Sequence, residues 1–207
     1  MSQEQTPLPL LLETIKIEDG KIHNLSYHQS RCTKSRQTLF NSTDILDLFS
    51  IINAPQTGLY RCRILYEESL HSIEYIPYIP KEITRLKIVS SDIEYSLKYA
   101  KRDTLNALIE SNQDVDEVII EKNGYLTDTT ISNIAFFDGK QWLTPEKPLL
   151  EGTMRAKLID EGFLHTKHIK KEELQNYSQV ALMNAMIGFK ILNIDIIQNI
   201  IKGGNDH

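Results

Sequence analysis

Cysteine is scarce in this sequence, since Cys32 and Cys62 are the only two among 207 residues. They lie far apart and form none of the short spacings that are typical of metal or redox motifs. We therefore expect no metal site and no disulfide framework. Reduced thiols are the usual state in a cytoplasmic protein, and the cytoplasm is the location that we predict.

Long apolar runs and an excess of basic residues are also missing. No segment approaches the roughly 18 apolar residues of a membrane span, and "MSQEQTPLPL" lacks the charge and hydrophobicity pattern of a signal peptide. We expect neither membrane insertion nor secretion. With 23 Lys and Arg against 28 Asp and Glu, the net charge is −5. This charge argues against nucleic acid as a partner, but not against a local anion site.

The composition is otherwise that of an ordinary globular protein, with 41% hydrophobic and 25% charged residues. Three dipeptides lie between strand-like runs and predict two-residue hairpin turns: Asp19-Gly20, Asn123-Gly124 and Asp138-Gly139. Further strands are predicted at 58–66, 69–78, 85–89, 180–183 and 194–201.

Helical spacing of apolar residues predicts four helices, at 26–40, 43–52, 102–110 and 153–161. Hairpins interrupted by single helices favour an α+β fold over a doubly wound parallel fold. Pro77, Pro80 and Lys81 lie between two strand-rich halves. We therefore predict an N-terminal α+β lobe at 1–82 and a C-terminal α+β lobe at 83–207.

The stretch "IEYSLKYAKRDTLNAL" changes from a strand-like alternation to helical spacing, and Lys98 lies at the change. An isolated lysine at such a junction is usually solvated. A lysine held against apolar neighbours instead has a lowered pKa, because burial disfavours the ammonium form. Its neutral amine is a nucleophile that forms Schiff bases with carbonyl compounds.

An acidic residue and three candidate anion sites occur elsewhere in the chain. Asp128 follows a hairpin turn and precedes a cluster of short polar residues. Their hydroxyl groups and the exposed amides after the turn suit an oxyanion. Alternatively, the hydroxyl groups form hydrogen bonds with the backbone of their own turn. In "LLEGTMRAKLID", Gly152 precedes a helix whose first amides suit a phosphate, although any helix start has such amides. In "NLSYHQSRCTKSR", His28 and Arg31 share a helix face, which is either a solvated basic surface or a phosphate ligand.

Taken together, these segments supply a nucleophilic amine, an acid and several phosphate ligands. These are the parts that a protein needs to hold pyridoxal phosphate. No one of the segments would indicate this cofactor alone.

The ordered set of segments resembles the fold-type IV pyridoxal-phosphate enzymes. This family contains the branched-chain and D-amino-acid aminotransferases and 4-amino-4-deoxychorismate lyase. The resemblance spans most of the chain in the right order, through "LLETIKIEDGKI", "YHQSR", "LKYAKR", "DTTISNIAFF", "LLEGTMR" and "LMNAMIGF". It implies a two-lobed α+β fold like that of D-amino-acid aminotransferase, here shortened, with the cofactor between the lobes.

The resemblance also implies roles for particular residues. Lys98 would form the Schiff base with pyridoxal phosphate and move protons at the substrate Cα, and Asp128 would keep the pyridine nitrogen protonated. The implied phosphate ligands are the Arg31 side chain and the backbone amides of Ile131, Ser132, Thr153 and Met154. The implied substrate-binding residues are Arg63, Asn184 and Ala185, with Arg102 a further candidate; Arg63 and Arg102 fit surface salt bridges equally well. A homodimer, a small amino substrate and a keto-acid acceptor follow from the same resemblance.

The sequence departs from the family pattern at several positions. Asp128 stands where the family usually has Glu, so the carboxylate is shorter by one methylene. Ala135 replaces a usual aromatic residue, and Thr153 replaces a usual aliphatic one. The chain is also short for the family, and the trimmed loops are those that build the substrate pocket, which leaves the substrate open.

Three alternatives to an aminotransferase remain at this point. The segment "LKYAKR" favours the lyase branch, which would form p-aminobenzoate and pyruvate. The short chain and Asp128 also fit a pyridoxal-phosphate-binding protein that has lost turnover. Finally, the match could be accidental, in a plain α+β binding domain.

Overall fold

The computed structural model describes residues 9–198, and their packing divides them into two units. The first unit contains the described residues up to Tyr78, together with Leu97–Arg102. The second unit contains Ile79–Ser96 and the described residues from Asp103 onward. None of the helices within residues 9–198 has both the length and the apolar character that a membrane span requires.

The first unit is a four-stranded antiparallel sheet with one long helix. Its elements are β1 (Leu11–Glu18), β2 (Lys21–Ile22), α1 (Leu25–Phe40), α2 (Leu48–Ile51), β3 (Leu59–Tyr66) and β4 (Leu70–Pro77). The strand order is β2-β1-β3-β4. Alternate residues of β1 and β3 point to one face, and Ile15, Ile17 and Ile64 on that face form a core with Cys32 of α1.

The segment that carries Lys98 pairs with strand β1. The amide of Leu12 donates to the carbonyl of Lys98 at 2.8 Å, and the amide of Ala100 donates to the carbonyl of Leu10 at 2.8 Å. Strand β2 covers only Ile17 and Glu18 on this edge of β1, so the edge near Leu12 is available for another segment. The packing of Lys98 with the first unit thus differs from its expected place in the C-terminal lobe, whereas the lobe boundary at 82/83 stays a prediction.

The second unit contains one eight-stranded mixed sheet. Its strands are β5 (Leu86–Ser90), β6 (Glu117–Lys122), β7 (Tyr125–Thr129), β8 (Asn133–Phe137), β9 (Trp142–Pro145), β10 (Leu164–Lys167), β11 (Gln179–Asn184) and β12 (Gly188–Asn193). The path runs β10-β9-β8-β7-β6-β5, and β11 pairs with both β8 and β12. The helices are α3 (Asp103–Glu110), α4 (Thr153–Asp160) and two 3-10 helices, Lys171–Asn176 and Ile194–Ile196.

The three hairpins predicted from Asp-Gly and Asn-Gly are all present. In two of them both turn residues have positive φ: Asp19 and Gly20 at 47° and 79°, and Asn123 and Gly124 at 52° and 79°. These values are those of a two-residue turn that matches the strand twist. The third turn is longer, because the amide of Asp138 donates to the carbonyl of Gln141 and the Asp138 carboxylate accepts from the amides of two following residues.

Three element predictions were wrong in detail. The helix expected at 43–52 covers only Leu48–Ile51, because buried Arg36 of α1 binds both the carbonyl and the carboxylate of Asp44 and holds that residue out of the helix. The strand-like alternation at Ile93–Tyr99 forms only an isolated bridge between Tyr99 and Leu11. The strand expected at 194–201 begins as a 3-10 helix, and its last residues lie outside the described range.

Candidate active site

Lys98 is half-buried and lies near two arginines and one glutamate of the first unit. Burial, and after it the positive charge of Arg31, lowers the pKa of its amine from 10.5 to about 7. The charge of Glu13 opposes this shift. A substantial fraction of the amine is therefore neutral at neutral pH, which is the form that attacks a carbonyl carbon.

Glu13 is the acid of this group, and none of the sequence motifs indicated it. It lies on β1 with a fully buried side chain. Its Oε1 accepts from Nε of Arg31 at 2.8 Å, and its Oε2 accepts from Nη2 of Arg31 and from Nδ1 of His28, both at 2.6 Å. Although burial alone would raise the pKa of Glu13, the charges and hydrogen bonds of Arg31 and His28 lower it to about 2.

A sequence signal for Glu13 did exist. In "LLETIKI" the inward-facing row of the strand reads Leu11, Glu13, Ile15, Ile17, and all four are buried. An acid in an otherwise apolar row has to find a cationic partner, because an unpaired buried carboxylate is very costly. The pattern thus indicates a buried ion pair, although it does not identify the partner.

Arg31, a predicted phosphate ligand, is held tightly by Glu13. Two of its five N–H groups bind the carboxylate, and only 13% of its side chain is exposed. His28 of the same helix face is fully buried, and burial lowers its pKa despite the bond to Glu13. The structure therefore places Lys98, Arg31 and His28 near one acid, Glu13, that was not predicted, and the roles of Lys98 and Arg31 toward a cofactor stay predictions.

Asp128 in the second unit is almost fully buried, at 4% exposure. Its Oδ1 accepts from Nδ2 of Asn133 and its Oδ2 from the amide of Leu150, both at 2.8 Å. Burial raises the pKa of Asp128 to about 7, while these bonds and the charge of Arg155 oppose the rise. Near neutral pH this carboxyl group can therefore either hold or release a proton.

The turn after Asp128 is held by hydrogen bonds between its own residues. The Thr129 hydroxyl accepts from the amides of Ile131 at 3.2 Å and Ser132 at 2.9 Å. These are the two amides that were predicted to bind phosphate. That role stays a prediction, and phosphate would have to compete with the Thr129 hydroxyl for both amides.

The N-terminus of helix α4 is preceded by Gly152, which has no side chain to bond the first amides. Thr153 is buried at 3% exposure, and Met154 follows it in the first turn. Gly152 lies against the Asn133 side chain, and a Cβ atom at this position would be 1.9 Å from Oδ1 of Asn133. Asn133 also donates to the carbonyl of Leu150, so it ties Asp128 to the loop that leads into α4.

We predict that Gly152→Ala destabilises the protein by about 1–3 kcal/mol, because the added methyl group overlaps Asn133. The backbone itself allows alanine, since Gly152 has φ −73° and ψ 146°. Thermal unfolding measures the loss. In an Asn133→Ala background the same substitution should cost much less, and an equal cost in both backgrounds would show that Asn133 is not the cause.

The predicted substrate-binding residues already have partners. Arg63 pairs with Glu74 across β3 and β4 at 2.9 Å. The Asn184 amide donates to the Ser132 hydroxyl and the Ile131 carbonyl, and its Oδ1 accepts from the amides of Met186 and Ile187. Ala185 lies in the turn that these bonds hold. The substrate-binding roles of all three residues stay predictions.

Comparison with known proteins identifies the family. The model described as amino-transferase class IV matches residues 96–194. A crystal structure from Haemophilus somnus 129pt, named as a proposed 4-amino-4-deoxychorismate lyase, is 39% identical; the match covers 89% of this chain and 99% of that one, with a TM-score of 0.81. The chain belongs to the class IV aminotransferase family.

Two further proteins are similar to this chain, one along most of its sequence and one in its fold alone. A Haemophilus influenzae protein of uncharacterized function is 40% identical over 184 residues, which are 86% of this chain and 98% of that protein. A hypothetical aminotransferase from Mycobacterium tuberculosis, solved in a PLP-bound form, has a TM-score of 0.75 at 16% identity, covering 92% of this chain and 86% of that one. The predicted family and the predicted α+β fold of type IV are both confirmed.

Proposed function

We propose that this class IV protein uses pyridoxal phosphate, joined covalently at Lys98, to act at Cα of an amino substrate. The observation that carries the proposal is the amine of Lys98, which combines burial with a pKa of about 7. A lysine in this state reacts with aldehydes at neutral pH, whereas an ordinary surface lysine is almost fully protonated. Pyridoxal phosphate is the aldehyde that we propose, and a solved structure of the same fold that is described as PLP-bound supports this choice.

The residues present fit this cofactor chemically. Its phosphate is a dianion, and the candidate ligands for it are the Arg31 guanidinium and the N-terminal amides of α4. Its ring nitrogen needs an acidic partner, and Asp128 is a buried carboxyl group with a pKa of about 7. When bound, the cofactor supplies an electron sink for the pair left at Cα.

The roles of the chain's own residues follow from their protonation. Nζ of Lys98 is proposed to be the atom that would hold the cofactor covalently at its aldehyde carbon and, when free, would take the proton from Cα. Asp128 is proposed to keep a proton at the ring nitrogen. Because Asn133 and the Leu150 amide fix both of its oxygens, Asp128 is held in one orientation for that task.

Transamination between an amino donor and a keto-acid acceptor is the proposed reaction, and we propose a homodimer in the cytoplasm. The proposed location is supported by both cysteines, which are free and buried; burial raises the pKa of each thiol to about 12, which leaves the thiols unreactive.

A second candidate reaction is elimination of pyruvate from 4-amino-4-deoxychorismate. It is supported by the near full-length similarity to the Haemophilus somnus protein.

The test begins with the purified protein and its absorption spectrum after incubation with pyridoxal phosphate. We expect a visible band that borohydride abolishes, leaving the cofactor fixed on the peptide that contains Lys98. Assays with amino donors and keto acids should then give a new keto acid, whereas assays with aminodeoxychorismate would give p-aminobenzoate and pyruvate. A protein that binds no cofactor would refute the proposal, and one that binds it without converting either substrate class would show a binding protein without turnover.

A further inference from the structure

Glu13 occupies an unusual place for an ionised side chain. Its neighbours in the inward row of β1 are Leu11 and Ile15, and its partner across the sheet is Ile64. All of these side chains are fully buried, as is Glu13 itself. A stable core alone would favour an apolar residue at this position, because replacing buried ion pairs with well-packed apolar groups is often neutral or stabilising.

The contacts of Glu13 fix the orientation of two other side chains. The fork through Nε and Nη2 sets the plane of the Arg31 guanidinium, since both carboxylate oxygens take part. The third bond sets the His28 ring. An ionised carboxylate can only accept hydrogen bonds. Nδ1 of His28 therefore carries a proton and donates a hydrogen bond to Glu13.

The same strand also fixes the backbone of Lys98. The Leu12 amide, one residue before Glu13, donates to the Lys98 carbonyl at 2.8 Å, and Leu11 forms a bridge with Tyr99. Strand β1 therefore determines the position of the reactive lysine through its backbone and that of Arg31 through Glu13. The residues of β1 that make these contacts, Leu11, Leu12 and Glu13, are consecutive in the chain.

We propose that Glu13 is a positioning residue, which orients the Arg31 guanidinium beside Lys98 so that it binds the phosphate of pyridoxal phosphate. This inference rests on the proposed function, and it assigns to Glu13 a role beyond stabilising the core. Glu13 contacts neither the cofactor nor the substrate in this role, and it acts on phosphate binding through Arg31.

Glu13→Gln is the central test, because it keeps the size of the side chain but removes its charge. The affinity for pyridoxal phosphate should fall roughly tenfold or more, since a neutral amide holds the guanidinium less firmly than a carboxylate. The affinity for pyridoxal, which lacks the phosphate, should fall less than about twofold. In an Arg31→Gln background, Glu13→Gln should have no further effect on either ligand.

A matched control is available on the same helix. Arg36 is another buried arginine of α1, and its carboxylate partner is Asp44. Asp44→Asn should lower the thermal midpoint, because the buried Arg36 guanidinium loses its carboxylate, but leave the preference for pyridoxal phosphate over pyridoxal unchanged. A purely structural role for Glu13 predicts the same pattern for Glu13→Gln.

Amine reactivity gives a second readout that does not need the cofactor. The charged or titratable groups that interact with Glu13 are Arg31, His28 and Cys32 of α1, Tyr66 of β3 and Lys98. The charge of Glu13 raises the pKa of Lys98, so Glu13→Gln should move the midpoint for reductive methylation of Lys98 to lower pH. Glu13→Asp, which retains the charge, should leave this midpoint near that of the wild type, and it replaces the Gln variant if that protein does not fold.

The outcomes separate the inference from the proposed function. Wild-type protein that traps pyridoxal phosphate at Lys98, with equal losses for both ligands in Glu13→Gln, would overturn the positioning role and leave the function intact. Wild-type protein that forms no borohydride-stable adduct would overturn both. A selective loss of the phosphorylated ligand, cancelled in the Arg31→Gln background, supports the role.

Discussion

Lys98→Ala is expected to abolish both the visible absorption band with pyridoxal phosphate and all turnover. The amine of Lys98 combines burial with a pKa of about 7, and alanine removes the only nucleophile that this site offers in our proposal. Borohydride should then fix no cofactor on the protein. The measurements are the absorption spectrum, mass spectrometry of the reduced protein and the rate of keto-acid formation.

Lys101 provides the matched control for this experiment. It lies three residues further along the same segment and is exposed. Lys101→Ala should therefore retain the band, the borohydride-stable adduct and the activity. If Lys98→Ala keeps a trappable band while Lys101→Ala loses it, the reactive lysine has been assigned to the wrong residue.

Asp128→Asn is expected to slow turnover by roughly a hundredfold or more, with the cofactor still bound. The substitution removes the acid that is proposed to hold a proton at the ring nitrogen. It also has a structural cost, because both partners of the carboxylate, Asn133 and the Leu150 amide, are donors. One of them would face the new amide NH2 group, at a cost of about 1–3 kcal/mol in the free energy of unfolding.

The two effects of Asp128→Asn are separated by three measurements. Thermal unfolding reports the lost bond, a cofactor titration reports binding, and the rate of proton exchange at the substrate Cα reports the chemistry. Asp128→Glu keeps the charge and should retain more Cα exchange than Asp128→Asn. If Asp128→Asn exchanges the Cα proton as fast as the wild type, Asp128 has no part in the reaction and serves only to anchor the loop before α4.

The elements that the sequence predicted well are those with a local cause. Positive φ at Asp19-Gly20 and Asn123-Gly124 depends on the turn residues themselves, so these hairpins could be placed from dipeptides. The helix at 43–52 was predicted too long because Asp44 is bound by Arg36. Periodicity describes the apolar face of a helix but not a side chain from elsewhere that ends it.

In the candidate site, too, the residues with a local sequence signal were predicted, and the contacts between distant parts of the chain were not. The sequence indicated Lys98, Arg31 and Asp128 because each lies in a short motif with a resemblance to a known family. It did not indicate that the backbone of Lys98 pairs with β1, nor that Asn133 fills the space beside Gly152. These contacts join residues from separate parts of the chain, and no local pattern encodes them.

By itself, then, the sequence determined the family, the α+β class and the identity of the candidate amine and acid. Only the tertiary structure decided that Glu13 binds Arg31 and His28 next to Lys98, and that Asp128 is buried against the loop before α4. The physical reason is that residue type fixes which groups can ionise, whereas the surrounding burial and charge fix at which pH they do so. Lysine and aspartate have ordinary pKa values far from 7, and in this protein both shift to about 7 mainly because folding buries them, with the charge of Arg31 adding to the shift of Lys98.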